Sequence, residues 1–152
     1  MQAYRLDLVA RIDSRPLLIL HVEDDENDAL LFAKACERAG LPAKVCRVEA
    51  ADQAMAYLLG EGIYSDRVIY PFPHIVVLDL KMPRMDGFQF LKWLRGNEKC
   101  AALPVLIFTA SMSREDKSRA IAEGASSYFI KPSSFDALVK MVEGMRTPNG
   151  LN

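Results

Sequence analysis

Five polar side chains fall at the ends of apolar runs. Glu23 and Asp24 follow Leu17-Leu18-Ile19-Leu20-His21-Val22, and Asp79 follows Ile75-Val76-Val77-Leu78. Thr109 follows Pro104–Phe108, and Lys131 follows Ser127–Ile130. Ligands of an open parallel sheet gather at the carboxyl ends of its strands, so these runs, as strands, would bring all five side chains to one rim. Each alone has a plain explanation: Asp24 or Asp25 as a helix N-cap, Asp79 as a turn residue before Met82-Pro83, Thr109 as a strand-end residue, Lys131 as an exposed charge. Their joint placement needs more. A cap uses one carboxylate, whereas three held close raise one another's pKa unless a cation sits among them. Lys131 supplies one positive charge and a divalent ion would supply the rest. A site of oxygen ligands without sulfur or imidazole suits a hard ion, Mg²⁺ with retained waters and one phosphate oxygen. The chemistry this implies is phosphoryl transfer to a carboxylate, giving an aspartyl phosphate. Asp79, on the most buried run, is the expected nucleophile, with Glu23 and Asp24 holding the metal. Thr109 would donate a hydrogen bond to one phosphoryl oxygen and Lys131 would neutralise another.

The elements that must position these groups alternate in type. Short strand-like runs and segments of helical period follow one another five times, the pattern of a parallel sheet covered by helices, so the fold class is α/β. The first helix has a start signal at Asp25–Asp28, an expected apolar face of Leu31, Ala35 and Ala39, and a stop at Gly40. A second strand at Ala43–Val48 leads to a helix through Ala51–Leu59, ended by Gly60. The Ile75–Leu78 run should be the central strand. Its helix carries Phe88, Leu91 and Leu94 before Gly96-Asn97, and the turn Met82–Gly87 precedes it, with Pro83 fixing one dihedral and Gly87 allowing a tight entry. Ser113-Arg114-Glu115-Asp116 resembles a capping box opening a helix with a thin apolar face, Ala120 and Ile121, which can shift at low cost. The last helix follows Pro132-Ser133-Ser134 and presents Phe135, Leu138, Val139, Val142 and Met145. The connection Gly60–His74, with Tyr64, Tyr70 and Phe72, exceeds the usual αβ loop of about 2–6 residues. It reads equally as a functional loop and as an insertion whose aromatics fold back on the core.

Composition sets the limits. The 152 residues are 51% apolar and 26% charged, with 19 basic against 20 acidic side chains, which fits one domain. A net charge of −1 without a basic run lacks the positive field of nucleic-acid binders. The apolar runs fall short of the ~18 residues of a membrane span, and charges interrupt residues 1–15, so a cytoplasmic location is the expectation. Cys36, Cys46 and Cys100 are odd in number and widely spaced, as reduced thiols would be. His21 and His74 lack partners at ligand spacing and are expected in satisfied structural roles. Residues 1–15 read as an extension, 16–146 as the domain, and 147–152 as a flexible polar tail.

Four segments carry a family resemblance. Val22-Glu23-Asp24-Asp25, Val77 through Gly87, Phe108-Thr109-Ala110-Ser111 and Tyr128-Phe129-Ile130-Lys131-Pro132 resemble, in order, the signatures of two-component response regulator receiver domains. The resemblance implies a flavodoxin-like (βα)5 doubly wound sheet of strand order 2-1-3-4-5. It implies Asp79 as phosphoacceptor, Glu23 and Asp24 as the acidic pair, the Lys81 backbone carbonyl as a further ligand, and Mg²⁺ or Mn²⁺ as the ion. Asp25 competes with Asp24, and the motif register favours Asp24. The family further implies a switch in which Thr109 moves toward the phosphoryl group and the Tyr128 ring rotates inward. Lys81 and Ser111, each two residues past a signature residue, are expected to tune phosphoryl lifetime. The partners implied are a sensor histidine kinase, phytochrome-like for the small stand-alone type this chain resembles, and a downstream target or phosphotransfer protein. No output domain, direct nucleic-acid contact or membrane attachment is expected. A homodimer could form through the last two helices or through residues 1–15. The weighed alternatives are an aspartate-nucleophile phosphohydrolase, which Lys81 disfavours because those enzymes resemble one another in carrying a second Asp there, and a phosphorylation-independent binding module.

Overall fold

A computed structural model describes residues 16–145. The expectations for residues 1–15 and for the tail from Thr147 lie outside these described residues. The strands are β1 (Leu17–Val22), β2 (Ala43–Val48), β3 (Ile75–Leu78), β4 (Val105–Thr109) and β5 (Ser127–Ile130). The helices are α1 (Glu26–Arg38), α2 (Ala51–Leu59), α3 (Gly87–Gly96), α4 (Arg114–Ala122) and α5 (Phe135–Gly144). All strand pairs are parallel, and the order is β2-β1-β3-β4-β5, the expected doubly wound arrangement.

Alternation along the strands divides the core into two layers. Leu17, Ile19, Ile75, Val77, Leu106 and Phe108 face α1 and α5. Leu20, Val22, Val76, Leu78, Val105 and Ile107 face α2, α3 and α4. β3 is buried at every position, because helices cover both its faces. On α1 the buried face is Ala29, Phe32, Ala35 and Cys36, with Ala39 buried at its C-cap, whereas Leu31, expected inside, is exposed. Phe32 takes the inward place, stacking at a tilt 5.7 Å from Phe108. On α4 only Ala120 is buried; Ile121, expected beside it, is 45% exposed. The anchoring of that helix is thus thinner than the sequence pattern suggests.

The histidines part company. His74 accepts a 2.8 Å hydrogen bond on Nδ1 from the Leu18 backbone and returns one from its own N–H to the Leu18 carbonyl, extending the β1–β3 pairing. His21 is buried against Phe32 with no hydrogen-bond partner on either ring nitrogen among the described residues, so the expectation of a satisfied role fails for it there. Burial, together with the Lys131 and Arg47 charges, pushes its pKa down to about 3, which keeps the ring neutral. All three cysteines are free thiols.

Tyr64 and Tyr70 of the Gly60–His74 connection fold back on the core. Their rings lie 5.0 and 6.0 Å from that of Tyr57, whose hydroxyl donates to the Pro71 carbonyl. Arg67 locks the segment: its guanidinium donates to the carbonyls of Tyr57, Leu58 and Tyr70 at 2.7, 2.7 and 3.1 Å, tying the last turn of α2 to the connection that follows it. Val68 at the tip remains 91% exposed. Arg67→Met should therefore cost about 1–3 kcal/mol of unfolding free energy by urea titration and speed amide exchange through residues 60–72. Divalent-ion binding at the opposite end of the sheet should not change.

Candidate functional site

The carboxyl ends of β1, β3, β4 and β5 meet where the strand order reverses, beside β1 and β3. Glu23 leaves β1 buried, its N–H donating to the Val48 carbonyl at the end of β2. Asp24 follows it, exposed, with no hydrogen bond or ion pair to its carboxylate among the described residues. Asp25 is the N-cap of α1, accepting from the Asp28 N–H at 3.0 Å, which leaves the pocket to Asp24. Asp79 leaves β3 with only 7% exposure. Glu23, Asp24 and Asp79 each offer an oxygen within 4.8 Å of the others.

Lys131, held at the end of β5 by an N–H bond to the Thr109 carbonyl, is far from the exposed charge it could have been. Its ammonium lies 2.8 Å from Glu23, 2.8 Å from Asp28 and 3.1 Å from Asp79. Burial alone would lower its pKa; the hydrogen bonds to Asp28 and Glu23 and the Asp79 charge outweigh that and raise it. Sequence reasoning missed Asp28. Its only signal there was as an acidic residue in the first turn of α1, and its partner lies 103 residues away in sequence.

Glu23 titrates high. Burial dominates and pushes its pKa up to about 7, the Asp79 charge adding to the rise and Lys131 opposing it. Its Oε1 lies 2.8 Å from the Lys131 ammonium. At an effective dielectric of about 20, two carboxylates at the 4.8 Å limit repel by about 3 kcal/mol, less where exposed Asp24 is one of them. One ammonium cannot neutralise four acids. A buried carboxylate with two further carboxylates within 4.8 Å and a single ammonium shared among them fits a divalent cation with oxygen ligands.

The remaining predicted residues surround this centre. Lys81 donates its N–H to Asp79 Oδ1 at 3.3 Å, which fixes the first turn of the β3–α3 connection. Gly87 is required there by space rather than by dihedral freedom: a Cβ would sit 2.4 Å from the Asp79 carbonyl oxygen and 2.7 Å from the Leu80 Cα. α3 then starts on a full capping box, Asp86 with Gln89, a signature legible in Asp86-Gly87-Phe88-Gln89. Thr109 is buried, its hydroxyl oxygen accepting from the Ser111 N–H at 3.3 Å. The Tyr128 hydroxyl donates to the Ser111 carbonyl at 3.1 Å. Ser113 caps α4 through the Asp116 N–H, yet the Asp116 carboxylate does not return to Ser113 as a capping box would. It accepts from the Ser111 hydroxyl at 2.6 Å instead.

The model of the response regulator receiver domain family matches residues 19–143. A probable methanogenesis regulatory protein of Methanothrix harundinacea, FilR2, is 36% identical over 86% of this chain and 82% of its own length. Among solved structures, the response regulator RPA3017 in red light signalling of R. palustris is 30% identical with a TM-score of 0.81, covering 85% of this chain and 90% of its own. The phosphorylated cyanobacterial phytochrome response regulator RcpA is 27% identical with a TM-score of 0.77, covering 86% and 91%.

The acidic pocket should bind divalent ions in a pH-dependent way. Glu23 must be ionised to act as a ligand and has a pKa of about 7, so affinity should fall by up to about tenfold for each pH unit below that value. Without metal, a folded pKa raised above 4.5 makes this group's stabilising contribution disappear as pH rises from about 4.5 to about 7. Thermal melts at pH 5, 6 and 8 with and without Mg²⁺ should show the largest metal-induced increase at pH 8.

Proposed function

The chain belongs to the response regulator receiver family, signalling modules of two-component phosphorelays rather than classical enzymes, and from that premise we propose that Asp79 is its phosphoacceptor. The observation that carries the reading is the position of the Asp79 carboxylate: nearly buried, 3.1 Å from the Lys131 ammonium, and within 4.8 Å of ligand oxygens of Glu23 and Asp24. Residues so arranged can hold a divalent ion, and Mg²⁺ is the occupant their oxygen donors favour, with Mn²⁺ as its substitute. When bound, the ion supplies charge neutralisation on the transferred group. Glu23, Asp24 and Asp79 would hold it, joined by the Lys81 carbonyl.

An oxygen of Asp79 attacks phosphorus as the bond to the donor's imidazole nitrogen breaks, its electron pair returning to the ring. Lys131 neutralises one phosphoryl oxygen. Thr109 turns its hydroxyl toward another, which ends its service as acceptor for the Ser111 N–H. That loss frees the β4–α4 connection, to which Tyr128 is bonded, and the weakly anchored α4 moves with it. Lys81 and Ser111 flank the approach of hydrolytic water and tune lifetime; the Ser111 hydroxyl, engaged by Asp116, acts through the connection rather than as a free donor.

The donor is a cognate sensor histidine kinase. A phytochrome-like kinase is the specific reading, supported by relatives described in red-light and phytochrome signalling. The output is a protein contact, to a downstream target or a phosphotransfer protein, in the cytoplasm. Incubation with Mg²⁺ and a small acyl phosphate should add the mass of one phosphoryl group to the wild type, and none to Asp79→Asn, by intact-protein mass spectrometry. No adduct on the wild type, or equal labelling of the variant, would overturn the reading.

A further inference from the structure

The exposed carboxylate of Asp24 contrasts with the buried ones of Glu23 and Asp79. Among the described residues no hydrogen bond or ion pair holds its carboxylate, so its placement depends on the backbone that carries it. That backbone is held from a neighbouring strand. Arg47, half-buried near the end of β2 and in register with His21 of β1, donates from Nε to the Glu23 carbonyl at 3.0 Å and from Nη2 to the Asp24 carbonyl at 3.2 Å. These two carbonyls belong to the peptide planes on either side of the Asp24 α-carbon. A planar guanidinium that fastens both planes fixes φ and ψ between them, and with them the direction of the bond carrying the carboxylate.

We propose that Arg47 is a positioning residue for metal binding: its fork across the Glu23 and Asp24 carbonyls aims the Asp24 carboxylate at the space shared with Glu23 and Asp79. The inference rests on the reading of those three acids as the metal site. Residues that orient ligands from behind typically change metal affinity 10- to 100-fold when lost. The sign of the effect separates positioning from charge. A guanidinium beside a cation site repels the ion, so as a charge alone Arg47 weakens binding and its removal would strengthen it. As a fork, its removal weakens binding.

Three variants read this out. Arg47→Met removes fork and charge, Arg47→Lys keeps the charge and loses the fork, and Arg47→Gln retains a single neutral donor group. Mn²⁺ affinity, measured at pH 8 by the electron paramagnetic resonance signal of the free ion, should fall about 10- to 100-fold in Met and Lys variants. The Gln variant should fall between them and the wild type. Metal-free thermal unfolding, recorded in parallel, should move far less than the affinity does. Binding by Arg47→Met equal to or tighter than wild type overturns the inference, as does wild-type affinity in Arg47→Lys. Should the Met variant fail to fold, the Lys and Gln variants decide. A wild type that binds no Mn²⁺ overturns the metal-site reading itself, and is thereby distinct from a wild type that binds with Arg47 making no difference.

Discussion

The ammonium of Lys131 ties together three carboxylates from three elements: Glu23 after β1, Asp28 on α1 and Asp79 after β3. Like charges at such separations repel, and burial makes the repulsion larger by lowering the local dielectric. Lys131 is the one cation that reaches into this group at ion-pair distance among the described residues. Its place depends on the β4–β5 register, which sets Thr109 against Ile130 and lets the Lys131 N–H reach the Thr109 carbonyl. The geometry thus leaves the rim undercompensated, and a divalent ion fits the charge that remains. The buried Glu23 that costs the metal-free fold at neutral pH is one of the three acids whose oxygens lie within 4.8 Å of one another.

Information from the rim has a short physical route outward. Ser111 uses three of its groups at once: its N–H to the Thr109 hydroxyl, its carbonyl from Tyr128, and its own hydroxyl to Asp116 on α4. A movement of Thr109 by the length of a hydrogen bond disturbs all three. The helix at the end of that chain buries only Ala120, so little apolar area opposes its displacement. By contrast α5 is anchored by Leu138 and Val142, and α3 by Phe88, Phe90, Leu91 and Leu94. Apolar anchoring is thus least on α4, while at the opposite end of the sheet Arg67 and the three tyrosines hold the long connection through hydrogen bonds and ring contacts.

Much of this was open to inspection in the chain itself. The alternation of short strand-like runs with segments of helical period, and the near-continuous apolar run at Ile75–Leu78, gave the α/β class, because burial on both faces of a sheet leaves that imprint whatever the detailed packing. Glu23, Asp24, Asp79, Thr109 and Lys131 could be assembled on one rim because the ends of parallel strands lie together by topology. Where the reading strayed, the missing quantity was a direction in space. Leu31 and Phe32 are neighbours, and which of them points inward depends on how α1 is rotated against the sheet. His21 fits an apolar run in either case, and its lack of a partner depends on what α1 places over it. Asp116 completes a capping-box pattern, but its carboxylate finds the Ser111 hydroxyl nearer, a contact set by the path of the β4–α4 connection.

The chain order of residues therefore specified the layers, the rim and the types of groups on it, since hydrophobic period and strand ends are local properties. Folding in three dimensions settled the pairings: Asp28 with Lys131, Arg47 with the carbonyls of Glu23 and Asp24, and Ser111 with Asp116. The first two join elements distant in sequence, and all three depend on distances of a few ångströms between side chains and backbone. Such distances follow from helix rotation and strand register, which are fixed by the packing of the whole core and have no local signature.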